Sequence, residues 1–135
     1  MAEENQVLGS IGMQNYRCEI QWRNGILIMD EPPSYGGLDI GPDPYSTLLA
    51  ALAGCTLSTL RMYIARKEWH IPEIKVKINL RTSNENGFST EFNREITFSE
   101  DVTDEQKQKL LIIANKCPVS KILENQITIK TDING

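Results

Sequence analysis

The fold is decided by one apolar stretch, residues 41–67, which reads GPDPYSTLLAALAGCTLSTLRMYIARK. Asp43 is suited to cap a helix and Pro44 fits the first helical position, so we predict that a helix begins there. Small or apolar residues occupy every face of its first half, which is typical of a helix buried inside a protein. Basic residues near its end mark where it reaches water. The stretch therefore predicts a long, buried central helix.

An antiparallel hairpin is predicted before this helix. Apolar and polar side chains alternate over residues 16–23, which is the pattern of a half-buried strand. Asn24-Gly25, the strongest two-residue signal for a hairpin turn, comes next, and a second apolar run follows it. A loop rich in Pro and Gly, residues 30–44, joins the hairpin to the helix. Residues 1–12 show no clear periodicity, and we expect them to be flexible.

A β-β-α-β unit is predicted after the central helix. Thr103 and Gln106 have the spacing of a capping box, which marks the start of a second helix, and Pro118 interrupts or restarts that helix. The predicted strands cover residues 74–80, 92–98 and 126–133, the last of which reads QITIKTDI. The whole pattern predicts an α+β fold in a single domain, residues 1–135, which is a usual domain length.

Composition and charge exclude several classes of protein. The chain carries a net charge of -4 and lacks a cluster of Lys and Arg, so neither nucleic acid nor an anionic membrane is an expected partner. The N-terminus has no basic and apolar leader, and the apolar run LLAALAGC is too short to cross a bilayer. Three widely spaced cysteines do not form a disulfide framework. We therefore expect a cytoplasmic protein, in which any oxidisable thiols are catalytic or redox-sensing.

Cys55 and Cys117 are the candidate reactive residues, although either can equally be a small core residue, since free Cys is among the most buried types. Gly54, beside Cys55, costs about 1 kcal/mol against Ala inside a helix, so it needs the close approach of another backbone or of a substrate. If Pro118 begins a new helix, Cys117 caps that helix, whose N-terminus favours a thiolate. Cys18 alternates with apolar neighbours and is interpreted as a core residue.

No cofactor or metal is expected. His70 is the only histidine and the sequence contains no CxxC motif, so a metal site is disfavoured. P-loop, GxGxxG and GxSxG motifs are also absent from the sequence. The remaining charged motif is the pair Asp30-Glu31, which is usually a solvated loop and only weakly indicates a site.

Four segments resemble the OsmC/Ohr family of thiol peroxidases. GPDPYSTLLAALAGCT, residues 41–56, resembles the segment that leads into that family's peroxidatic cysteine, inside a long buried helix. IANKCPVSKIL, residues 113–123, resembles the segment of the second cysteine. EPPSYGGLDIGPDP (31–44) and RMYIARKEW (61–69) are similar to the OsmC-like branch of the family. The resemblance extends from about Tyr16 to the C-terminus, and the order and spacing of the segments make it specific.

The resemblance implies an OsmC-like fold, an intertwined homodimer with active sites at the subunit interface, and reduction of organic hydroperoxides. It assigns Cys55 as peroxidatic and Cys117 as resolving, with an external dithiol, a lipoyl group in some members, as the reductant. An arginine of the N-terminal hairpin activates the peroxidatic thiol in the family. Arg23 best matches that position and Arg17 is the second choice.

The sequence departs from the family at one position. Active peroxidases carry a glutamate shortly after the helix-starting proline, where this chain has Tyr45. We expect Tyr45, Leu48, Leu52 and Glu31 to line the substrate pocket, and Tyr45, Asp30 or Glu31 to orient Arg23. Two alternatives remain beside the peroxidase: a non-catalytic OsmC-like dimer that binds an apolar ligand, and a thiol redox sensor.

Overall fold

The computed structural model describes residues 5–135, which form an α+β protein, as the sequence predicts. They divide into two compact units, with the boundary between Leu48 and Leu49. The strands are β1 (Leu8–Ile11), β2 (Cys18–Trp22), β3 (Gly25–Met29), β4 (Ile74–Ser83) and β5 (Ser89–Phe98). The helices are α1 (Pro44–Lys67), α2 (Asp104–Ala114) and α3 (Pro118–Glu124), with a short 3-10 helix at Pro33–Tyr35.

The N-terminal unit contains an antiparallel sheet with the strand order β1-β2-β3. Trp22 pairs with Gly25 across the hairpin, so the predicted turn is confirmed. Within residues 1–12, which the sequence predicts to be flexible, Leu8–Ile11 form β1, and this strand pairs with β2. All four β1 residues are exposed, so backbone pairing holds this strand and side-chain periodicity does not reveal it. Residues 1–4 lie outside the described part of the chain.

Helix α1 begins as predicted, at Pro44. The Asp43 carboxylate accepts hydrogen bonds from the backbone N–H groups of Tyr45 (3.1 Å) and Ser46 (3.3 Å). These amides have no partner inside the helix, so the carboxylate caps it.

The rest of α1 departs from the prediction of a fully buried helix. Its buried residues are Leu52, Thr56, Leu60 and Ile64, one for each turn. These form a single stripe, and other faces are open within this chain: Met62 is 70% exposed. The complete helix is also longer than its apolar run, and by length and composition alone it could cross a bilayer. The core helix of a soluble protein meets the same criterion, so this observation is weak evidence for a membrane protein.

The core of the C-terminal unit forms where α1 and α2 supply apolar side chains. Strands β4 and β5 form an antiparallel pair, and their alternation is confirmed. The buried cluster consists of Leu60, Ile64, Ile71, Leu110 and Ala114. The capping box is also confirmed, because the Thr103 hydroxyl accepts from the Gln106 N–H and the Gln106 side chain accepts from the Thr103 N–H.

The last predicted strand is not formed. Residues 126–133 have no strand partner within the described chain, and Ile133 is 95% exposed. Alternating apolar and polar residues give this segment strand propensity, but a strand also needs a neighbour with free backbone groups. The chain after α1 is therefore β-β-α-α, without the final strand.

Candidate active site around Cys55 and Cys117

The two candidate cysteines meet inside the C-terminal unit. Cys55 lies on α1 next to Thr56 of the buried stripe and is half-buried. Cys117 is fully buried at the N-cap position of α3, with Pro118 in the first helical position, as the sequence predicts. Both are free thiols, and each affects the pKa of the other.

Cys117 is the more acidic of the two thiols. Burial is the largest influence on it and opposes ionisation, but hydrogen bonds outweigh burial. They come from the Cys55 thiol, from the backbone and hydroxyl of Ser120, and from the backbone of Val119, and they lower the pKa of Cys117 from 9.0 to about 7. The backbone donors are first-turn amides of α3, which have no partner inside the helix.

Cys55 is affected in the opposite direction. Burial, and then the hydrogen bond to Cys117, raise the pKa of Cys55 above 9.0, while the Val119 N–H and the Thr59 side chain oppose the rise. Two thiols this close lose their protons in two steps that belong to the pair. When the pair carries one negative charge, that charge rests mainly on Cys117 and the proton on Cys55.

A third polar residue, Arg94 of β5, reaches the same place. Its Nη1 donates to Thr56 Oγ1 (2.9 Å) and to Ser120 Oγ (2.8 Å), and its Nη2 donates to Asn115 Oδ1 (3.2 Å). Sequence reasoning missed this residue. The signal was present, because Arg94 occupies the face of β5 that otherwise carries Phe92 and Ile96, and a charge on a buried face needs partners.

Hydrogen bonds connect Arg94 to the cysteine pair. The Ser120 hydroxyl accepts from Arg94 Nη1 and is one of the groups that lower the pKa of Cys117. Thr56 Oγ1 donates to the Leu52 carbonyl at 2.7 Å and lies 4.0 Å from Cys117 Sγ. The two hydroxyl groups beside the buried sulfur, those of Thr56 and Ser120, therefore share one guanidinium as their donor.

A partly apolar cleft of about 560 Å³ lies beside these residues. Leu52, Phe92 and Leu123 contribute to its walls, and Arg94 and Ser120 contribute its polar side. Neither Cys55 nor Cys117 lines this cleft, and the substrate-pocket role of Leu52 stays a prediction.

Comparison with known proteins identifies the family. Residues 36–132 match the family model for OsmC-like proteins. The chain belongs to the OsmC-like family. No curated protein sequence matches it.

Solved structures show the same fold as this OsmC-like protein. An OsmC-like protein from Mycoplasma pneumoniae has a TM-score of 0.69 at 16% identity, over 88% of this chain and 86% of that one. An organic hydroperoxide resistance protein from Elizabethkingia anophelis has a TM-score of 0.65 at 21% sequence identity, over 86% of each chain. The organic hydroperoxide resistance protein OhrB of Bacillus subtilis has a TM-score of 0.59 at 20% sequence identity, over 86% of this chain and 88% of that one.

The other residues that the resemblance assigned lie in the N-terminal unit of this OsmC-like protein. Arg23 is exposed beside the hairpin turn, and its guanidinium lies 5.5 Å from the centre of the Trp22 ring. Tyr45 and Leu48 are exposed in the first turns of α1, and Glu31 is half-buried in the loop. Their roles in a pocket or as an activating cation stay predictions.

Asp30 was expected in a solvated loop, and that expectation is wrong. Its side chain is buried and accepts four backbone hydrogen bonds, from Tyr16 (3.1 Å), Glu31 (2.8 Å), Leu38 (3.1 Å) and Ile40 (3.3 Å). Burial raises the pKa of Asp30, but the four amides outweigh it and leave that pKa below 3.8. Because these amides occupy both oxygens, the carboxylate is committed to the loop and not to a predicted cation.

The third cysteine, Cys18, lies apart from the candidate site. Cys18 is half-buried on β2 rather than a core residue, and its Sγ lies 3.6 Å from the Tyr16 carbonyl. No cluster of metal-binding side chains occurs within residues 5–135. Cys55 and Cys117 are thus the cysteines that lie together in the described chain.

Proposed function

We propose that this OsmC-like protein is a cysteine-based peroxidase that reduces organic hydroperoxides, with Cys55 attacking and Cys117 resolving. The observation that carries the proposal is the division of properties within the pair. Cys55 is partly exposed, while Cys117 is buried and more acidic. Structural neighbours named as organic hydroperoxide resistance proteins support the choice of substrate class.

The reaction starts from the singly charged pair. The Cys117 thiolate takes the proton of Cys55, and the Cys55 thiolate attacks the peroxide. An S–O bond forms and the O–O bond breaks. The leaving alkoxide takes from Cys117 the proton that came from Cys55, and it departs as an alcohol. Cys55 is now a sulfenic acid, and Cys117 is again a thiolate.

The second step closes the disulfide. The Cys117 thiolate attacks the Cys55 sulfur, an S–S bond forms, the S–O bond breaks, and the leaving hydroxide takes a proton from solvent to become water. An external dithiol then restores both thiols by exchange and is itself oxidised to a disulfide. A lipoyl-type dithiol is the reductant that we propose.

Arg23 is the cation that we propose for the first step. Since burial raises the pKa of Cys55, a guanidinium is needed to favour its thiolate. With Tyr45 where active relatives carry a glutamate, we expect an activated but less acidic thiol than theirs. Tyr45, Leu48, Leu52 and Glu31 form the proposed substrate pocket, and its apolar walls favour bulky organic hydroperoxides over hydrogen peroxide.

The proposal includes a homodimer in the cytoplasm. Large apolar side chains of α1 are exposed within one chain, among them Tyr45 and Met62, and a second copy would cover them. The cytoplasm keeps thiols reduced, which the catalytic cycle requires between turnovers.

Hydroperoxide consumption in the presence of a dithiol tests the proposal. We expect Cys55→Ser to abolish consumption of cumene hydroperoxide, and Cys117→Ser to leave one oxidation followed by overoxidation of Cys55. Cys18→Ser is the matched control, because this half-buried thiol lies on β2, and it should retain the wild-type rate.

Three outcomes would contradict the proposal in different ways. Full activity of Cys55→Ser would remove Cys55 from the reaction. A Cys55–Cys117 disulfide that forms without turnover would indicate a redox sensor. Thiols that stay reduced after one equivalent of hydroperoxide is added would indicate a non-catalytic protein that binds an apolar ligand.

A further inference from the structure

We infer that Arg94 is a positioning residue for the resolving step: it holds the Ser120 hydroxyl so that this hydroxyl hydrogen-bonds the Cys117 sulfur and favours its thiolate. The inference rests on the proposed function for its catalytic meaning. The effect on the thiol is a property of the reduced protein and can be measured without turnover.

The direction of the hydrogen bonds follows from the donors that are present. A hydroxyl group has one proton, and a guanidinium can only donate. Since Ser120 Oγ accepts from Arg94 Nη1 at 2.8 Å, its own proton is free to point at the Cys117 sulfur. The Thr56 hydroxyl gives its proton to the Leu52 carbonyl and likewise accepts from Arg94. Arg94 therefore fixes the orientation of both hydroxyls.

The charge of Arg94 lacks a fixed counter-charge. Its three acceptors are the neutral oxygens of Thr56, Ser120 and Asn115. No carboxylate forms an ion pair with it within residues 5–135. A half-buried cation with neutral partners favours a nearby anion, and the anion that this site can generate is the Cys117 thiolate.

The other charged groups near Cys117 are in water. Lys116 precedes it, and Lys121 and Glu124 lie on α3; all three are exposed. Arg61 of α1 is exposed too, and it donates to the carbonyls of Ile71 and Pro72. Solvent screens such charges, so Arg94 is the cation placed to act on the buried sulfur.

Arg94 would act on the resolving step, in which Cys117 attacks the oxidised Cys55. The resolving attack requires a thiolate on Cys117, since the thiolate and not the thiol is the nucleophile. Loss of Arg94 should therefore slow the closure of the disulfide and leave the peroxide step, at Cys55, less affected.

A thiolate titration tests this directly. Cys18→Ser and Cys55→Ser leave Cys117 as the single thiol, and the ultraviolet absorbance of its thiolate is followed against pH. Arg94→Met keeps an unbranched apolar stem and removes the charge and the donors. We expect it to raise the pKa of Cys117 by about one, on the scale of a nearby opposite charge. Arg61→Met, the matched control, should leave that titration unchanged.

A conservative variant separates positioning from folding. Lys in place of Arg94 keeps the charge but lacks the rigid planar fork of donors, so Arg94→Lys should give a smaller rise in the pKa of Cys117. If Arg94→Met does not fold, the titration of Arg94→Lys decides the question. A pKa that matches the parent in the variant that folds would overturn the inference.

Sulfenic acid trapping connects the titration to the reaction. In the chain with all three cysteines, Arg94→Met should prolong the life of the Cys55 sulfenic acid about tenfold after one equivalent of cumene hydroperoxide. Unchanged lifetime with a raised pKa would remove Arg94 from the resolving step. A wild-type protein that never consumes hydroperoxide would end the proposed function, while the titration would still decide the role of Arg94.

Discussion

A charged side chain is withdrawn from water in each unit, buried Asp30 in one and half-buried Arg94 in the other, and the two charges have different kinds of partner. Asp30, in the N-terminal unit, accepts hydrogen bonds from four backbone amides. Arg94, in the C-terminal unit, donates to three neutral side chains, two of which contact Cys117. Backbone amides cannot rotate away, whereas hydroxyl groups can turn toward a sulfur that gains or loses charge.

The difference separates a structural charge from one that affects reactivity. The Asp30 carboxylate holds a loop closed, and its partners have no other chemistry. The Arg94 guanidinium is connected through Ser120 to a thiol whose pKa is about 7, so its loss changes the state of a reactive atom. We therefore expect substitutions of Asp30 to act mainly on folding and substitutions around Arg94 to act mainly on the thiols.

The largest effect is expected from Asp30→Asn. This variant keeps the shape of the side chain but replaces one acceptor oxygen with a donor that faces backbone N–H groups, leaving buried donors without partners. We expect the melting temperature of the N-terminal unit to fall by several degrees or more. Hydrogen exchange should show lost protection at the amides of Leu38 and Ile40. Glu19→Ala removes an exposed carboxylate from the same unit and should change neither.

Acid should reproduce part of the same loss in the wild type. Because the pKa of Asp30 is held below 3.8, the unfolded state takes up a proton first as the pH falls. The stability from Asp30 is therefore complete above about pH 5 and is lost as the pH falls through the lowered pKa. Asn at this position has no proton to gain, so its acid transition should lack this component. If the stability of the wild type and of Asp30→Asn depended on pH in the same way, Asp30 would not be the charge that stabilises the N-terminal unit.

A smaller effect on stability, with a chemical consequence, is expected from Ser120→Ala. The hydroxyl is buried and lies between Arg94 and Cys117, so its removal should cost about 1–2 kcal/mol of unfolding free energy. It should also raise the pKa of Cys117 and reduce the further effect of Arg94→Met, because the two residues act through one hydrogen bond. Ser58→Ala, at an exposed position of α1, is the control. If Ser120→Ala and Arg94→Met had fully additive effects on the pKa of Cys117, the two residues would not act through one hydrogen bond.

The smallest effect is expected from Gly54→Ala. A Cβ at this position meets nothing within 4 Å inside the chain, so helix propensity should add up to about 1 kcal/mol of stability. If a second copy packs on this face of α1, the same methyl group should weaken the dimer instead. Sedimentation at several concentrations distinguishes these results, with Ala50→Gly as the opposite change at an exposed position. A more stable protein with unchanged assembly would place Gly54 outside any interface.

Local signals predicted much of the fold. The hairpin turn, the start of α1 at Pro44, the β4–β5 alternation and the capping box at Thr103 all depend on residues close in sequence, and all are present. Residues 126–133 failed as a strand because pairing requires a partner at a distance. Strand β1 was missed for the related reason that its exposed side chains show no pattern, although its backbone pairs with β2.

The sequence by itself determined the family, the α+β class and the two cysteine segments, because each depends on motifs that local chemistry makes recognisable. Only the tertiary structure decided which thiol is more acidic and which charges are buried. Hydrogen bonds between distant residues, such as those from Arg94 to Thr56 and Ser120, have no signature in local sequence. The pKa of a group depends on what surrounds it in space, so the division of roles between Cys55 and Cys117 emerged only when β5, α1 and α3 were brought together.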